Sequence, residues 1–426
     1  MSIFSTFINT FTPLRIRNFR VYIIGQAISL IGTWLQSTAL GWVVWELTKS
    51  PGSLGLVATL TFLPQLLIGP FVGVWADRLD RRKILICTQT AQMILAFVLA
   101  FLIQTSLIQL WHIYVLAFLL GISAAIDFPT QQAFIGDLSG MAEIRKAVVV
   151  NASVFQTSRI IGPALAGVVV AVLGAATAFW LNGLSFIAVI ISLLIVRSQQ
   201  VRRASSGNPI GEFIEGLRFI KDQPRLQDLI LSTVIVTFFG LSVVITLFPA
   251  FAGDVLKGDA TTLGLLTAAS GAGALLSALV IAPIAQGMKR IGVMITFCSV
   301  WAGAWMMVAS RTAWLPLSML CIFLVSLSVP VVIITANGML QLMAPPDMRA
   351  RLLAVFTTIS FGIQPVATLF VGFTAEHVGV PMAMLINGAL LVVFTLALLA
   401  MRLDWRKWEV GRPAAPPAQS MQQPAP

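Results

Sequence analysis

Twelve runs of about 20 apolar residues lie between residues 19 and 401, and they decide what this sequence can be. Wound as an α-helix rising about 1.5 Å per residue, each run matches the hydrocarbon core of a bilayer. The spacing predicts spans over 19–46, 53–76, 83–104, 109–132, 148–171 and 174–196. A second set follows over 226–252, 261–285, 291–310, 314–337, 351–374 and 380–401. Membrane-barrel strands would alternate apolar and polar residues over about 10 positions, and these runs do not. With 58% hydrophobic and 10% charged residues, the chain has too few charges to coat a water-soluble surface. The expected fold class is an all-α membrane protein of twelve transmembrane helices.

The charges then orient the spans. With the N-terminus placed in the cytoplasm, 23 of the 27 Lys and Arg residues fall on the cytoplasmic side. Lys49, Lys257 and Arg311 fall on the other side, and Arg159 lies inside a span. Cytoplasmic loops carry such an excess, so both termini are expected inside. The net charge of +11 is thereby a matter of topology, and no nucleic-acid partner is expected. Residues ahead of the first run lack the pattern of a cleavable signal, so that run is expected to be retained.

The segments are read as a cytoplasmic N-terminal segment over 1–18, a six-helix bundle over 19–196 and a cytoplasmic linker over 197–225. A second six-helix bundle over 226–401 and a disordered Pro-, Ala- and Gln-rich tail over 402–426 complete the chain. Within the linker, Phe213, Leu217 and Ile220 recur at helical spacing opposite Glu212, Glu215 and Arg218. That pattern predicts an amphipathic helix along the membrane surface.

Chemistry-bearing groups are scarce. Cys87, Cys298 and Cys321 sit in apolar runs without metal-ligand spacing, so no metal, cofactor or disulfide framework is expected. His112 and His377 lie near span ends, and no nucleotide-binding loop is present. Neither an enzyme nor a channel with a charged filter assembles from these residues.

The two halves are internal repeats. At an offset of 205 residues Lys146 meets Arg351, Gly167 meets Gly372, Gly174 meets Gly379, and Asn182-Gly183 meets Asn387-Gly388. After the second run stands Gly73-Val74-Trp75-Ala76-Asp77-Arg78-Leu79-Asp80-Arg81-Arg82-Lys83. Two parallel six-helix halves and this loop resemble the major facilitator superfamily, except that the family usually has Gly at the position of Asp80. Gly69 and Gly73, four residues apart, predict a close helix approach. The resemblance implies two pseudo-symmetric bundles and a conformational latch holding the outward-facing state. The latch would be formed by Gly73, Asp77, Arg78, Arg81 and Arg82, with Asp127 paired to Arg81 or Arg82. Asp127 is placed near the cytoplasmic end of the fourth span, where a proton-carrying role or a plain interface acid are the other readings.

Ser158 to Gly167 contains Arg159, Gly162, Pro163 and Gly167, and it resembles the fifth-helix motif of antiporters in the superfamily. Arg159 lies near the bilayer midplane, where a cation needs a cavity or a partner. Three readings stay open: binding an anionic group of the substrate, pairing within the protein, or controlling a proton-coupling carboxylate. No acid is evident at its depth in the predicted spans. In the family's fold, spans one, four, seven and ten line the centre, so Gln26, Trp34, Gln36, Phe238 and Asn337 join Arg159 as substrate-cavity candidates.

The stretches 14–20, 127–134 and 343–351 together resemble the branch containing the enterobactin exporter and macrolide-efflux proteins. That resemblance implies a monomeric bacterial inner-membrane exporter of siderophore-like or drug-like molecules, with proton antiport as its drive and lipid and a small-molecule substrate as its partners. A proton-coupled nutrient importer and a transport-inactive sensor are the alternatives.

Overall fold

The computed structural model describes residues 11–196, 209–286, 288, 290–345 and 348–402, apart from a few side chains within helices, notably those of 70–78. The expected tail lies almost wholly outside the described residues, as do the first ten residues and 197–208 of the linker. Among the described residues there is no β-strand, and twelve helices are long and apolar enough to cross a membrane.

Spans one to six cover Arg17–Thr48, Pro51–Gly69, Arg81–Gln104, Leu110–Gly140, Ala142–Leu173 and Ala175–Ile195. The second span's helix continues to Arg78. Spans seven to twelve cover Pro224–Val255, Ala260–Ala285, Ile291–Ala309, Leu315–Met343, Arg351–Val378 and Val380–Met401. The even number of spans puts both ends of the bundle's chain at one face, called here the basic face after its loops. The expected repeat is visible in the backbone. Gly174 and Gly379 occupy equivalent helix junctions with φ of +82° and +81°, a conformation that favours glycine.

One boundary differs from the sequence reading in a way that matters. Span four was expected to end near residue 132, but its helix runs on to Gly140, where φ of +71° breaks it. Gln131, Gln132, Asp137 and Ser139 lower hydropathy without opposing helix formation, so the helix outlasts its apolar run. Asp127 therefore lies 13 residues, about 20 Å, inside the basic-face end of its helix rather than beside it.

The linker helix covers Pro209–Lys221. It docks on span eleven, with Gly216 facing Val355 and the Arg351 backbone and Glu215 paired to Arg351 at 2.8 Å. Phe213 and Ile220 face the bundle core, whereas Leu217, expected on the same stripe, is exposed.

Small residues join the two halves. A β-carbon on Gly264 of span eight would stand 2.7 Å from the Pro163 carbonyl oxygen and 2.9 Å from the Gly167 α-carbon of span five. One on Gly55 of span two would stand 2.8 Å from the Gly372 α-carbon of span eleven. Lipid gives helices little hydrophobic reason to associate, so such close approach supplies the attraction. Both crossings lie toward the face opposite the basic one. There Glu376 of span eleven accepts hydrogen bonds from the Ser50 hydroxyl at 2.8 Å and the Gly52 N–H at 2.9 Å. The halves are thus closed against each other at that face.

Gly264→Leu should force spans five and eight apart. In a background with the three cysteines replaced, Lys49→Cys should then be labelled faster by a membrane-impermeant thiol reagent. An unchanged rate would mean that the crossing does not control closure.

Candidate functional site

The loop after span two is held by charge in three ways. Asp80 is the N-cap of span three, accepting from the backbone N–H of Arg82 at 3.0 Å and of Lys83 at 3.4 Å. This accounts for an acid where glycine is usual, since Asp is a favoured N-cap and its φ of −68° asks for no glycine. Arg81 reaches both oxygens of Asp137 at 2.9 Å. Arg82 donates to the carbonyls of Leu193 and Leu194, at the C-terminal end of span six where a cation is favoured. The helix of span two runs through Gly73, Asp77 and Arg78, whose side chains lie outside the described residues. A β-carbon on Gly69, expected at a helix crossing, would meet only the Gln65 side chain of its own helix within 4 Å among the described residues.

The expected pairing of Asp127 with Arg81 or Arg82 is corrected. Asp127 accepts from the Thr88 hydroxyl at 2.6 Å and from the Gln89 amide at 3.0 and 3.1 Å. The acid opposite Arg81 is Asp137, which the sequence reading missed. With span four ended near residue 132, Asp137 fell in a loop. A helix continued to Gly140 places it level with Arg81.

Arg159 occupies the middle of span five, 17 residues or about 25 Å from the start of the helix at Ala142. Its guanidinium lies over the Trp34 ring, 5.6 Å from the centroid, a contact worth about 2 kcal/mol or more when desolvated. Phe155 meets the same ring edge-on at 5.7 Å. No carboxylate lies within ion-pair distance of Arg159 among the described residues. Three residues along, Gly162 lets span one approach, since a β-carbon there would stand 2.5 Å from that of Trp34. Pro163 and Gly167 meet Gly264, and the Arg159 carbonyl meets Gly271. The whole stretch therefore lies where spans one, five and eight converge between the halves.

The other cavity candidates do not gather around Arg159. Gln36 accepts from Asn182 of span six at 2.7 Å, which ties it into the first half. Gln26 is buried, and its side-chain oxygen has no hydrogen-bond partner. Phe238 packs against Phe239 and Phe370 at 4.8 and 5.4 Å. Asn337 accepts from Gln341, one turn along its own helix, at 2.7 Å. Over the closed face opens a separate cleft of about 450 Å³ lined by Trp45, Lys49, Asp254 and Glu376.

Residues 8–424 match the family model described as transmembrane secretion effector. The chain belongs to that family of the major facilitator superfamily. Among relatives, the MFS-type transporter YfiS of Bacillus subtilis is 26% identical, the match covering 88% of this chain and 90% of YfiS. Macrolide efflux protein A of Streptococcus pyogenes is 25% identical over 87% of this chain and 93% of its own length. Among solved structures, a bacterial homologue of the human lysosomal transporter Spinster, inward-facing and occupied, superposes with a TM-score of 0.75. That match covers 95% of this chain and all of the homologue at 14% identity, which speaks for the fold alone. Transporters of this superfamily are not enzymes, and this chain is an MFS transporter with efflux-type relatives.

In this facilitator the Arg81–Asp137 pair is nearly buried, with side chains 12% and 11% exposed. Asp137→Asn and Arg81→Gln should each lower thermal stability. A double-mutant cycle read by thermal unfolding in detergent should give a coupling of about 1–3 kcal/mol, and a coupling near zero would remove the pair from the scaffold.

Proposed function

We propose that this chain exports an anionic, amphiphilic small molecule of drug-like or siderophore-like size from the bacterial cytoplasm, exchanging it for protons by alternating access. The observation that carries this reading is Arg159. It is a midplane cation resting on Trp34 at 5.6 Å, free of any carboxylate within ion-pair distance among the described residues, at the seam where the halves separate. A cation in that position is expensive unless a cavity or a ligand receives it, and an anionic group flanked by an aromatic wall fits it. The efflux proteins among its relatives favour export. In this reading the halves over 19–196 and 226–401 rock about the small-residue crossings. Both termini face the cytoplasm, Gly73, Asp77 and Arg78 join Arg81 and Arg82 in securing the opposite state, and the monomer is the working unit.

The test uses purified protein in vesicles with an imposed proton gradient and three labelled probes: a catecholate, a macrolide and a cationic dye. The gradient should drive one class against its concentration. Losing one partner of a desolvated charge pair costs about 2–5 kcal/mol, so Arg159→Ala should raise KM for an anionic probe by about tenfold or more, with Arg159→Lys in between. Normal anion transport by Arg159→Ala would leave the arginine a packing role. Movement of every probe down its gradient only would end the antiport reading.

A further inference from the structure

Among the described acids of the first half, Asp127 is the one that is buried, with 9% of its surface exposed. Among the described residues no cation pairs with it. Span three offers Thr88 and Gln89, both neutral. Span one offers the buried Tyr22 hydroxyl, which is within electrostatic reach and has Gln131 of span four as its polar neighbour. Span two meets span four where Gly121 approaches Thr61 and Pro64, and its described stretch Pro51–Gly69 carries no charge. The charges of spans one and three sit at their ends, at Arg17, Arg20, Glu46, Arg81, Arg82 and Lys83. On span five, Arg159 is engaged by Trp34, and Glu143 pairs with Lys146 near the basic face.

The hydrogen atoms around this carboxyl can be counted. The Thr88 oxygen lies 2.6 Å from an Asp127 oxygen and 3.1 Å from the Leu85 carbonyl oxygen. A hydroxyl has one hydrogen to donate, so with an ionised Asp127 only one of these contacts is a hydrogen bond. With a protonated Asp127 both are satisfied: the acid donates to Thr88, and Thr88 donates to Leu85. Gln89 is two-faced in the same way. Its amide N–H groups point at Asp127, and its oxygen is buried without a partner. Turned over, the amide would present that oxygen to an acid proton.

We propose that Asp127, with Thr88 and Gln89, is a proton-binding site that loads and releases a proton as the transporter cycles. The inference rests on the antiport reading and supplies the carboxyl that reading needs. The step is simple in its balance. A proton from water adds to one Asp127 oxygen, the Thr88 hydrogen swings to Leu85, and release reverses both. Because spans three and four are also joined by Arg81 and Asp137 at 2.9 Å, a change at Asp127 alters one of the ties between the same helices.

The experiment is infrared difference spectroscopy of the full chain in lipid vesicles, taken between alkaline and acid buffer with the proton itself as probe. A carbonyl-stretch band of a buried, hydrogen-bonded carboxylic acid should appear on acidification and be lost in Asp127→Asn. In Gln89→Leu, which keeps the acid but removes one partner, the band should shift in frequency. If Asp127→Asn fails to fold, the Gln89→Leu shift still decides. The same band in Asp127→Asn, or an unshifted one in Gln89→Leu, overturns the proposal. Proton-driven transport in the same vesicles is scored separately, so failure of antiport in the wild type would be distinguishable from failure of proton binding at Asp127.

Discussion

The structure depends on how closely two helix backbones can approach inside lipid. In water, burial of apolar side chains would hold the halves together. In a bilayer the surrounding tails are as apolar as leucine, and that force is absent between spans. What remains is contact at short range and hydrogen bonding. The crossings of spans five with eight and two with eleven meet this demand with glycine against glycine. Polar links add to them, including Thr59 to the Pro365 carbonyl at 3.0 Å and Glu376 to Ser50 and Gly52. Such a seam is strong in one arrangement and separable as a whole, which suits two bodies that must part and meet again.

Polar groups inside the first half divide into two kinds. Some are paired across helices and serve as scaffold, such as Asn182 with Gln36 and Arg81 with Asp137. Others are imperfectly satisfied, among them Gln26 with an unpartnered oxygen, Arg159 over an aromatic ring, and Asp127 beside a hydroxyl with too many acceptors and an amide with a spare oxygen. Buried polar groups left incompletely paired are costly, and a transporter can use that cost, because substrate or proton binding then changes which arrangement is stable.

Much of the fold was legible in the sequence because bilayer thickness fixes span length, so that apolar runs of that length can be counted one by one. The loop after span two and the fifth-helix stretch were legible as motifs. Their partners were not. Hydropathy marks where a segment leaves the apolar core, not where its helix ends, so cutting span four near residue 132 hid Asp137 and assigned Asp127 to the wrong level. Gln36 and Gln26 are polar and mid-span in the sequence, and only the packed helices show that Gln36 meets Asn182 and that Gln26 is buried with its oxygen unpartnered.

The sequence by itself therefore determined the number of spans, their helical character and the duplication, since each follows from residue type counted along one dimension, and its motifs carried the resemblance to a transporter superfamily. The tertiary structure alone decided which side chains meet: Arg159 with Trp34, Arg81 with Asp137, Asp127 with Thr88 and Gln89, and Leu217 turned outward on a docked linker helix. The reason is geometric. Every residue of a helix points about 100° from the one before, so which face meets which neighbour is set by the packing of many helices together and is written in no single span.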